Sequence, residues 1–492
     1  MWVLGGNISS KVLNFITLGF LARVLNPGNL GHLNAVQNVA NSINMMGSLG
    51  TQLVIQRISA RLNEVGPKVV SEICSAAIFI YLFVNSILAL SIFLLPDYFF
   101  RILLDSKGEL VFINYLAILI VLNAINQVPL YLMLGLEEFK KYSALTLFIN
   151  LITLISALGF VFVYANNLTA AFISTIVASV VNMMATLFIF YKLMKRNQLG
   201  ITVAIKYKTV KEIFKQGFVY YLGNTFFVAV AGLVTVSLFY KYLTPVDYGY
   251  LRIGNALAVL FTIIPATLQP ITVTFLSWNN EGQDYLKSLQ LRIIPFLSSL
   301  LLIFLLLNLE LVIRVFFGPS YSGAWNVVFG ILLLQIFTTY LSLINAYHVG
   351  HGNLNFIGYV SIITCLFLLA ASFILVPQYG IVGYFIALYA ANFLSLSLVF
   401  FKEIQRKNWF KREDVITIII IGLSILVSSI MAFWAAPLIK FLFSIMILSF
   451  SAFLFWKSSL SNWERELFLS EARKPKKLRW RLKKKYEETP VS

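Results

Sequence analysis

The sequence predicts an all-α integral membrane protein with about fourteen transmembrane helices, and three observations predict it. The first is composition: 59% of the 492 residues are hydrophobic, only 12% are charged, and the mean hydropathy is +0.84. Soluble domains carry roughly a quarter charged residues. The second is a series of apolar runs, each about 20 residues long and able to cross a bilayer. The third is an internal duplication. A soluble helical bundle is the alternative, but its helices would each carry a charged face.

The apolar runs recur along nearly the whole chain. No connection between them is long enough for a soluble catalytic domain. The predicted helices are 1–22, 31–56, 71–95, 110–134, 142–164, 168–191, 213–240, 247–276, 290–313, 325–347, 354–376, 379–401, 414–434 and 437–456.

The duplication is seen in a short frame, Leu-x-Pro-x-x-x-Gly. It occurs in VLNPGNLG (24–31) and again in YLTPVDYG (242–249), 218 residues apart (245 − 27). Upstream, Gly6-Asn7 is echoed by Gly223-Asn224. A turn explains one copy of the frame, because Pro presets φ and Gly tolerates unusual backbone angles, but it does not explain two copies. The matched landmarks place helices one to six opposite helices seven to twelve.

Because six is an even number, both halves enter the membrane in the same orientation and form a parallel repeat. Transporters built from repeats bind substrate near the midplane between the halves, which rock to give alternating access. The doubled loop would lie on the outer face, where two matching gates are expected. The predicted domains are a six-helix bundle over 1–191, a second over 213–401, an appended helix pair over 414–456 and a basic cytoplasmic tail over 457–492.

The net charge of +18 is explained by its distribution. Most Lys and Arg residues fall in connections on the side of the N-terminus, so the positive-inside rule predicts that both termini are cytoplasmic. The tail KPKKLRWRLKKKYEE (474–488) would lie against anionic headgroups, at roughly 1 kcal/mol per basic residue. Protein binding is the alternative for the tail. We expect no nucleic-acid partner.

Polar side chains follow one face of several predicted helices. Inside lipid such side chains are costly unless they face protein or water. We expect a hydrated cavity suited to a hydroxyl-rich ligand, because amides both donate and accept hydrogen bonds. The alternative is helix packing, at perhaps 0.6 kcal/mol per hydrogen bond. The candidate amides are Asn7 and Asn14 of the first helix, Asn34, Gln37, Asn38 and Asn41 of the second, and Asn255 of the eighth.

Two cations, Lys11 and Arg252, lie inside predicted helices, and no Asp or Glu lies in a helix centre to pair with them. A lone cation in the membrane is costly, so an anionic ligand is a plausible partner. A diphosphate fits, because Arg can bind it with two parallel hydrogen bonds. Arg23 and Arg57, at opposite ends of the first hairpin, could contact the same ligand. The alternatives are positive-inside anchoring for Arg57 and snorkelling for Arg252.

The stretch FLARVLNPGNLGHLNAVQNVANSINMMGSLGTQLVIQRISAR (20–61) resembles the N-terminal signature of the polysaccharide flippases. These are O-antigen and exopolysaccharide exporters of the multidrug/oligosaccharidyl-lipid/polysaccharide exporter superfamily. VPQYGIVGYFIAL (376–388) resembles the pattern that closes the second half in that family.

The resemblance implies a multi-pass protein of the bacterial cytoplasmic (inner) membrane. Such a protein moves a polyprenyl-diphosphate-linked oligosaccharide to the outer leaflet, in contact with membrane lipids, with a polysaccharide polymerase and a chain-length regulator as possible partners. It also implies that cavity cations engage the diphosphate, and Arg23, in Ala-Arg-x-Leu, matches a family Arg position. Neither a cofactor nor a metal is expected.

Three other functions remain open. A lipid II flippase and a multidrug exporter share the superfamily, although multidrug exporters bind cations and typically need an intramembrane acid. A membrane polymerase or glycosyltransferase would place catalytic residues on large outer loops, and the outer connections here are short. The histidines, His32, His348 and His351, are too scattered to assemble a general acid/base pair. We therefore expect a transporter rather than an enzyme.

Overall fold

The computed structural model of this chain describes most of its length, and every regular element in that part is helical. The described residues are 2–60, 62–98, 111–163, 167–200, 218–219, 221–277, 283–350, 353–404, 412–434, 437–460 and 464–465. Most of the basic tail therefore lies outside them, as do the first residues of the predicted helix 213–240.

The elements follow in chain order. Before residue 200 the helices are α1 (Trp2–Val24), α2 (Pro27–Gly47), α3 (Thr51–Ala60), α4 (Leu62–Val65), α5 (Pro67–Leu94), α6 (Val111–Gly135), α7 (Phe139–Val163) and α8 (Asn167–Arg196). A π-helical turn (Leu222–Phe226) then leads into α9 (Phe227–Tyr242), α10 (Pro245–Ser277), α11 (Gln283–Leu307) and α12 (Leu309–Phe316). A 3-10 turn (Pro319–Ala324) precedes α13 (Trp325–Gly350), α14 (Leu354–Ile404), α15 (Arg412–Trp434) and α16 (Pro437–Ser458).

Within the described residues, ten helices are long and apolar enough to cross a membrane. The predicted class, an all-α multi-pass membrane protein, is therefore confirmed. The count of fourteen spans stays a prediction. Helix α2 is not among the ten, because its amide side chains lower its hydropathy.

The predicted span 31–56 is interrupted in the structure. Helix α2 ends at Gly47 and α3 begins at Thr51. Between them the backbone takes positive φ angles at Leu49 (47°) and Gly50 (77°), a region that costs most residues energy but suits glycine. We call residues 48–50 the α2–α3 break.

The predicted spans 354–376 and 379–401 both fall within α14 (Leu354–Ile404). This label covers two helices, which meet at a kink, and the first of them contains Pro377. The backbone leaves helical geometry at Gly380 (φ 59°, ψ −135°), so the two spans meet at a kink. The change of direction comes from one glycine rather than from a separate connection.

The chain folds into two compact units. The first unit comprises Met1–Ile263, Ile313–Ile331 and Leu354–Ser395, and the second comprises Ile264–Val312, Leu332–Asn353 and Leu396–Ser492. The predicted six-helix bundles divide the chain differently and stay a prediction.

Within the first unit, the two Gly-Asn landmarks have similar surroundings. A Cβ atom on Gly6 would overlap the side chain of Ser143 on α7, and one on Gly223 would overlap the carbonyl of Gly358 on α14. Each landmark glycine thus allows a close approach to the fifth predicted helix of its own half. These matched contacts support the duplication.

The second unit contains a buried ion cluster that sequence analysis missed. Arg292 on α11 lies 3.1 Å from Asp414 on α15 and 2.8 Å from Glu464, which follows α16. All three side chains are 4% exposed or less. The Ser288 hydroxyl also donates to Asp414, at 2.8 Å. The cluster ties α11 to both ends of the appended helix pair.

Candidate functional site

The repeated Leu-x-Pro loops begin helices α2 and α10 in the same way. The Asn26 side-chain oxygen accepts a hydrogen bond of 2.7 Å from the backbone N–H of Asn29. At α10, Thr244 and Asp247 cap reciprocally: the Thr244 N–H donates to the carboxylate (3.1 Å), and the Asp247 N–H donates to the hydroxyl (3.3 Å). Each Pro occupies the first turn, where no N–H is needed. The doubled frame therefore fixes the starts of two helices.

The glycines of the two frames pack against each other reciprocally. A Cβ atom on Gly31 would overlap the carbonyl oxygen of Pro245, and one on Gly249 would overlap the carbonyl oxygen of Pro27. Only glycine permits backbones to approach this closely. We call this contact the glycine crossing. It explains why both frames keep a glycine four residues after the proline.

Two hydrogen bonds and one longer polar contact join α2 to the second predicted half beside the crossing. The His32 Nδ1 atom lies 2.7 Å from the Tyr240 hydroxyl on α9. The Asn38 amide donates to the Tyr248 hydroxyl at 2.7 Å, and the Asn34 amide approaches the Tyr248 carbonyl at 3.5 Å. Asn34 is only 2% exposed. Both amides therefore contact Tyr248 of α10. Sequence analysis missed Tyr248, although it lies within the second frame.

Three further amides lie on α2 and α10, the second of which also carries the cation Arg252: Gln37, Asn41 and Asn255. On α2, Gln37 is half-buried and Asn41 is exposed; on α10, Arg252 is half-buried and Asn255 is exposed. The Arg252 guanidinium lies 3.4 Å from the Gln37 side-chain oxygen, longer than an ordinary hydrogen bond. Asn41 lies one turn from Gln37, and Asn255 one turn from Arg252, so each pair shares a side of its helix. We call these four side chains the Arg252 face.

Charge on this face is not neutralised by protein groups in the part of the chain that the structure describes. Arg252 forms no ion pair there, and the long contact with Gln37 is the one polar side-chain contact of its guanidinium. The same residues contain no group of three or more His, Cys, Asp or Glu side chains placed to hold a metal ion. The chemistry available is therefore cationic and amide-based, which suits an anion that also carries hydroxyl groups.

Other predicted site residues lie elsewhere in the first predicted half. On α1, Lys11 is half-buried and Asn14 is exposed. The side chains of Asn7 and Arg57 fall outside the described residues.

Arg23 has a structural partner in the first unit. Its Nε atom lies 3.4 Å from the Phe316 carbonyl, and an Nη2 donor bonds the Val315 carbonyl, at the C-terminal end of α12. A cation at a helix C-terminus is favourable because it meets unpaired carbonyls. The guanidinium is exposed and keeps other donors, so this contact and ligand binding are compatible.

The different surroundings of Asn38 and Asn41 lead to a testable prediction. Replacing Asn38 by Ala should lower the free energy of unfolding by roughly 0.6 to 1.7 kcal/mol, because its hydrogen bond to Tyr248 is lost. Replacing Asn41 by Ala should leave that free energy unchanged, because Asn41 is exposed. Unfolding of both variants in the same detergent measures the difference. Equal losses would mean that both amides have the same packing role.

Similar solved structures show which fold the chain has. A lipid II flippase, MurJ, in an inward closed conformation is 14% identical, with a TM-score of 0.70 over 92% of this chain and 98% of that chain. An inward-facing multidrug resistance MATE family transporter of the MOP superfamily is 14% identical, with a TM-score of 0.66 over 90% and 95%. A MOP superfamily transporter from Pyrococcus furiosus is 15% identical, with a TM-score of 0.56 over 82% and 93%. The chain thus has the fold of these membrane transporters.

The family match covers a shorter part of the chain than the matches to solved structures. Residues 1–225 match the family described as polysaccharide biosynthesis protein, which confirms the predicted resemblance over that part of the chain. No curated protein matches the chain.

Proposed function

We propose that this protein is a flippase that moves a polyprenyl-diphosphate-linked oligosaccharide across the cytoplasmic membrane during surface polysaccharide synthesis. One observation carries the proposal: the half-buried Arg252 guanidinium lies 3.4 Å from the Gln37 amide oxygen, with no carboxylate partner among the described residues. An anionic lipid head with a hydroxyl-rich sugar has both complementary groups. The family match and the transporter fold support the same function.

In this mechanism the Arg252 face and Lys11 bind the diphosphate. The sugar makes hydrogen bonds to the exposed amides Asn41 and Asn255. The lipid tail stays in the bilayer. Because the cell interior is negative, outward movement of an anion is favoured by roughly 2.3 kcal/mol per charge per 100 mV. Return of the empty cationic site inward is favoured by the same field.

The glycine crossing serves as the outer gate in this proposal. With both termini cytoplasmic, the Pro27 and Pro245 ends of α2 and α10 lie toward the outer face. Opening that face must separate the crossing and break the hydrogen bonds of His32 and Asn38. Release of the substrate therefore requires a transient loss of two hydrogen bonds and one close backbone contact.

The remaining expectations belong to the same proposal. The protein would lie in the bacterial inner membrane among its lipids. A polysaccharide polymerase and a chain-length regulator would act on the flipped substrate, and the basic tail would lie against anionic headgroups.

Two relatives suggest alternatives. The MurJ neighbour is a lipid II flippase, and lipid-linked diphosphate chemistry would suit the Arg252 face equally well. The MATE neighbour is a multidrug transporter, but the positive charge of Arg252 disfavours a cationic drug at that position. Export of surface polysaccharide, lipid II or drugs from a complemented host distinguishes the three.

Charge reversal tests the proposal. A Lys11→Glu, Arg252→Glu double variant should lose surface polysaccharide export, because two carboxylates would repel the diphosphate. Arg252→Lys, which keeps the charge but loses paired donors, should retain part of the export. The measurement is polysaccharide on intact cells, corrected for protein in the membrane. Normal export by the double variant would eliminate this account.

A further inference from the structure

The α2–α3 break leaves main-chain carbonyls at the end of α2 without helical donors. In a continuous helix each carbonyl accepts from the N–H four residues later. Here the N–H and hydroxyl of Ser48 both donate to the Met45 carbonyl, at 3.2 and 2.8 Å. The Thr51 N–H donates to the Ser48 carbonyl at 2.9 Å. Nearby residues thus donate hydrogen bonds to the Met45 and Ser48 carbonyls.

The Met46 carbonyl receives its donor from a distant part of the chain. The Tyr221 hydroxyl lies 2.5 Å from this oxygen, and the tyrosine is 3% exposed. Its side chain lies against Gly50, where a Cβ atom would come within 3.2 Å of the Tyr221 Cβ. The tyrosine therefore fills the break and supplies a hydrogen bond that the interrupted helix lacks.

Tyr221 belongs to an unusual segment. It directly precedes the π-helical turn Leu222–Phe226, and such turns occur often at functional sites. Within this turn Gly223 touches the backbone of Gly358, which holds the turn against α14. The tyrosine is thus presented by a segment that is itself fixed to another helix.

The Tyr221 contact and the glycine crossing lie at opposite ends of α2. The helix has 21 residues, so its ends are about 31 Å apart, close to the thickness of a membrane core. At each end α2 touches a segment of the second predicted half. If the two ends open alternately, each contact must break while the other holds.

We propose that Tyr221 is a latch, which holds the Gly47 end of α2 to the start of the seventh predicted helix and must leave the break before that end can open. The role of the latch in transport rests on the proposed flippase function. The contact between Tyr221 and the α2–α3 break does not depend on that function, and it can be tested without substrate.

The test is a distance measurement between spin labels at Ala60 and Phe218, two exposed positions on either side of the contact. Both native cysteines, Cys74 and Cys365, are buried and are first replaced by Ala. The full chain is then studied in lipid nanodiscs without substrate. Tyr221→Phe, which removes only the hydroxyl, should raise the population of a longer distance about five- to thirtyfold.

Two further variants complete the test. Tyr221→Leu removes the ring as well and should shift the population further. Tyr191→Phe is the matched control, because Tyr191 is 65% exposed and makes no hydrogen bond among the described residues; it should leave the distances unchanged. If the Leu variant does not fold, the Phe variant decides. A Tyr221→Phe distribution identical to that of the unmodified protein would overturn the latch, whatever the substrate is.

Discussion

Replacing Gly31 by Ala should reduce export at least fivefold, and Gly28→Ala should have little effect. The new Cβ of Gly31→Ala would overlap the Pro245 carbonyl oxygen, which is backbone and cannot move aside alone. Overpacking of this kind typically costs 1–3 kcal/mol, roughly a 5- to 150-fold change in an equilibrium between two conformations. The closed form of the glycine crossing would be the form that loses population.

The control variant is Gly28→Ala, in the same turn as Gly31. A Cβ on Gly28 would meet the Asn26 side chain at 3.5 Å and Val246 at 3.8 Å, which are ordinary contacts. Gly249→Ala should reproduce the Gly31→Ala defect, because its Cβ would overlap the carbonyl of Pro27. Export is measured at matched protein levels in membranes. If all three variants export equally, the close approach at the crossing has no role in transport.

Replacing Arg292 by Leu should lower the free energy of unfolding by roughly 3–5 kcal/mol, the usual cost of removing one partner from a buried ion cluster. The Asp414 and Glu464 carboxylates, each 2% exposed, would lose the guanidinium that now bonds both of them. This is the largest effect on stability that we expect from a single substitution among the described residues.

Arg196→Leu is the matched control for Arg292. Arg196 also pairs with a carboxylate, at 2.7 Å from Glu138, but its side chain is 67% exposed. Exposed pairs contribute about 0–1 kcal/mol, so this variant should remain near the unmodified protein. Unfolding of both variants in the same micelles gives the comparison. Equal losses would mean that burial of the cluster adds nothing to its contribution.

Hydropathy predicted the helices well, because membrane-length apolar runs are a local property of the chain. The predicted starts at 31 and 247 were late, because the helices begin at Pro27 and Pro245, inside the repeated frame. The interruption after Gly47 was missed, although Gly47 and Gly50 bracket it, because hydropathy does not register a change in backbone angles.

The candidate site was predicted only in part, because burial depends on partners far away in sequence. Helical spacing places Asn34 and Asn41 on one side of α2, but it could not predict that Tyr248 would contact Asn34 while Asn41 stays exposed. The ion cluster of Arg292 was missed for the same reason: its acidic partners lie more than a hundred residues away in sequence.

The central claim, that the Arg252 face carries an anionic lipid-linked sugar across the bilayer, is tested most directly in proteoliposomes. The purified full chain would be reconstituted with a fluorescent polyprenyl-diphosphate oligosaccharide, and an impermeant quencher would report which leaflet holds the label. We expect transfer between leaflets by the unmodified protein, abolished by Arg252→Glu and reduced by Arg252→Lys. Transfer that is unaffected by Arg252→Glu, or uptake of a cationic dye in place of the lipid, would contradict the account.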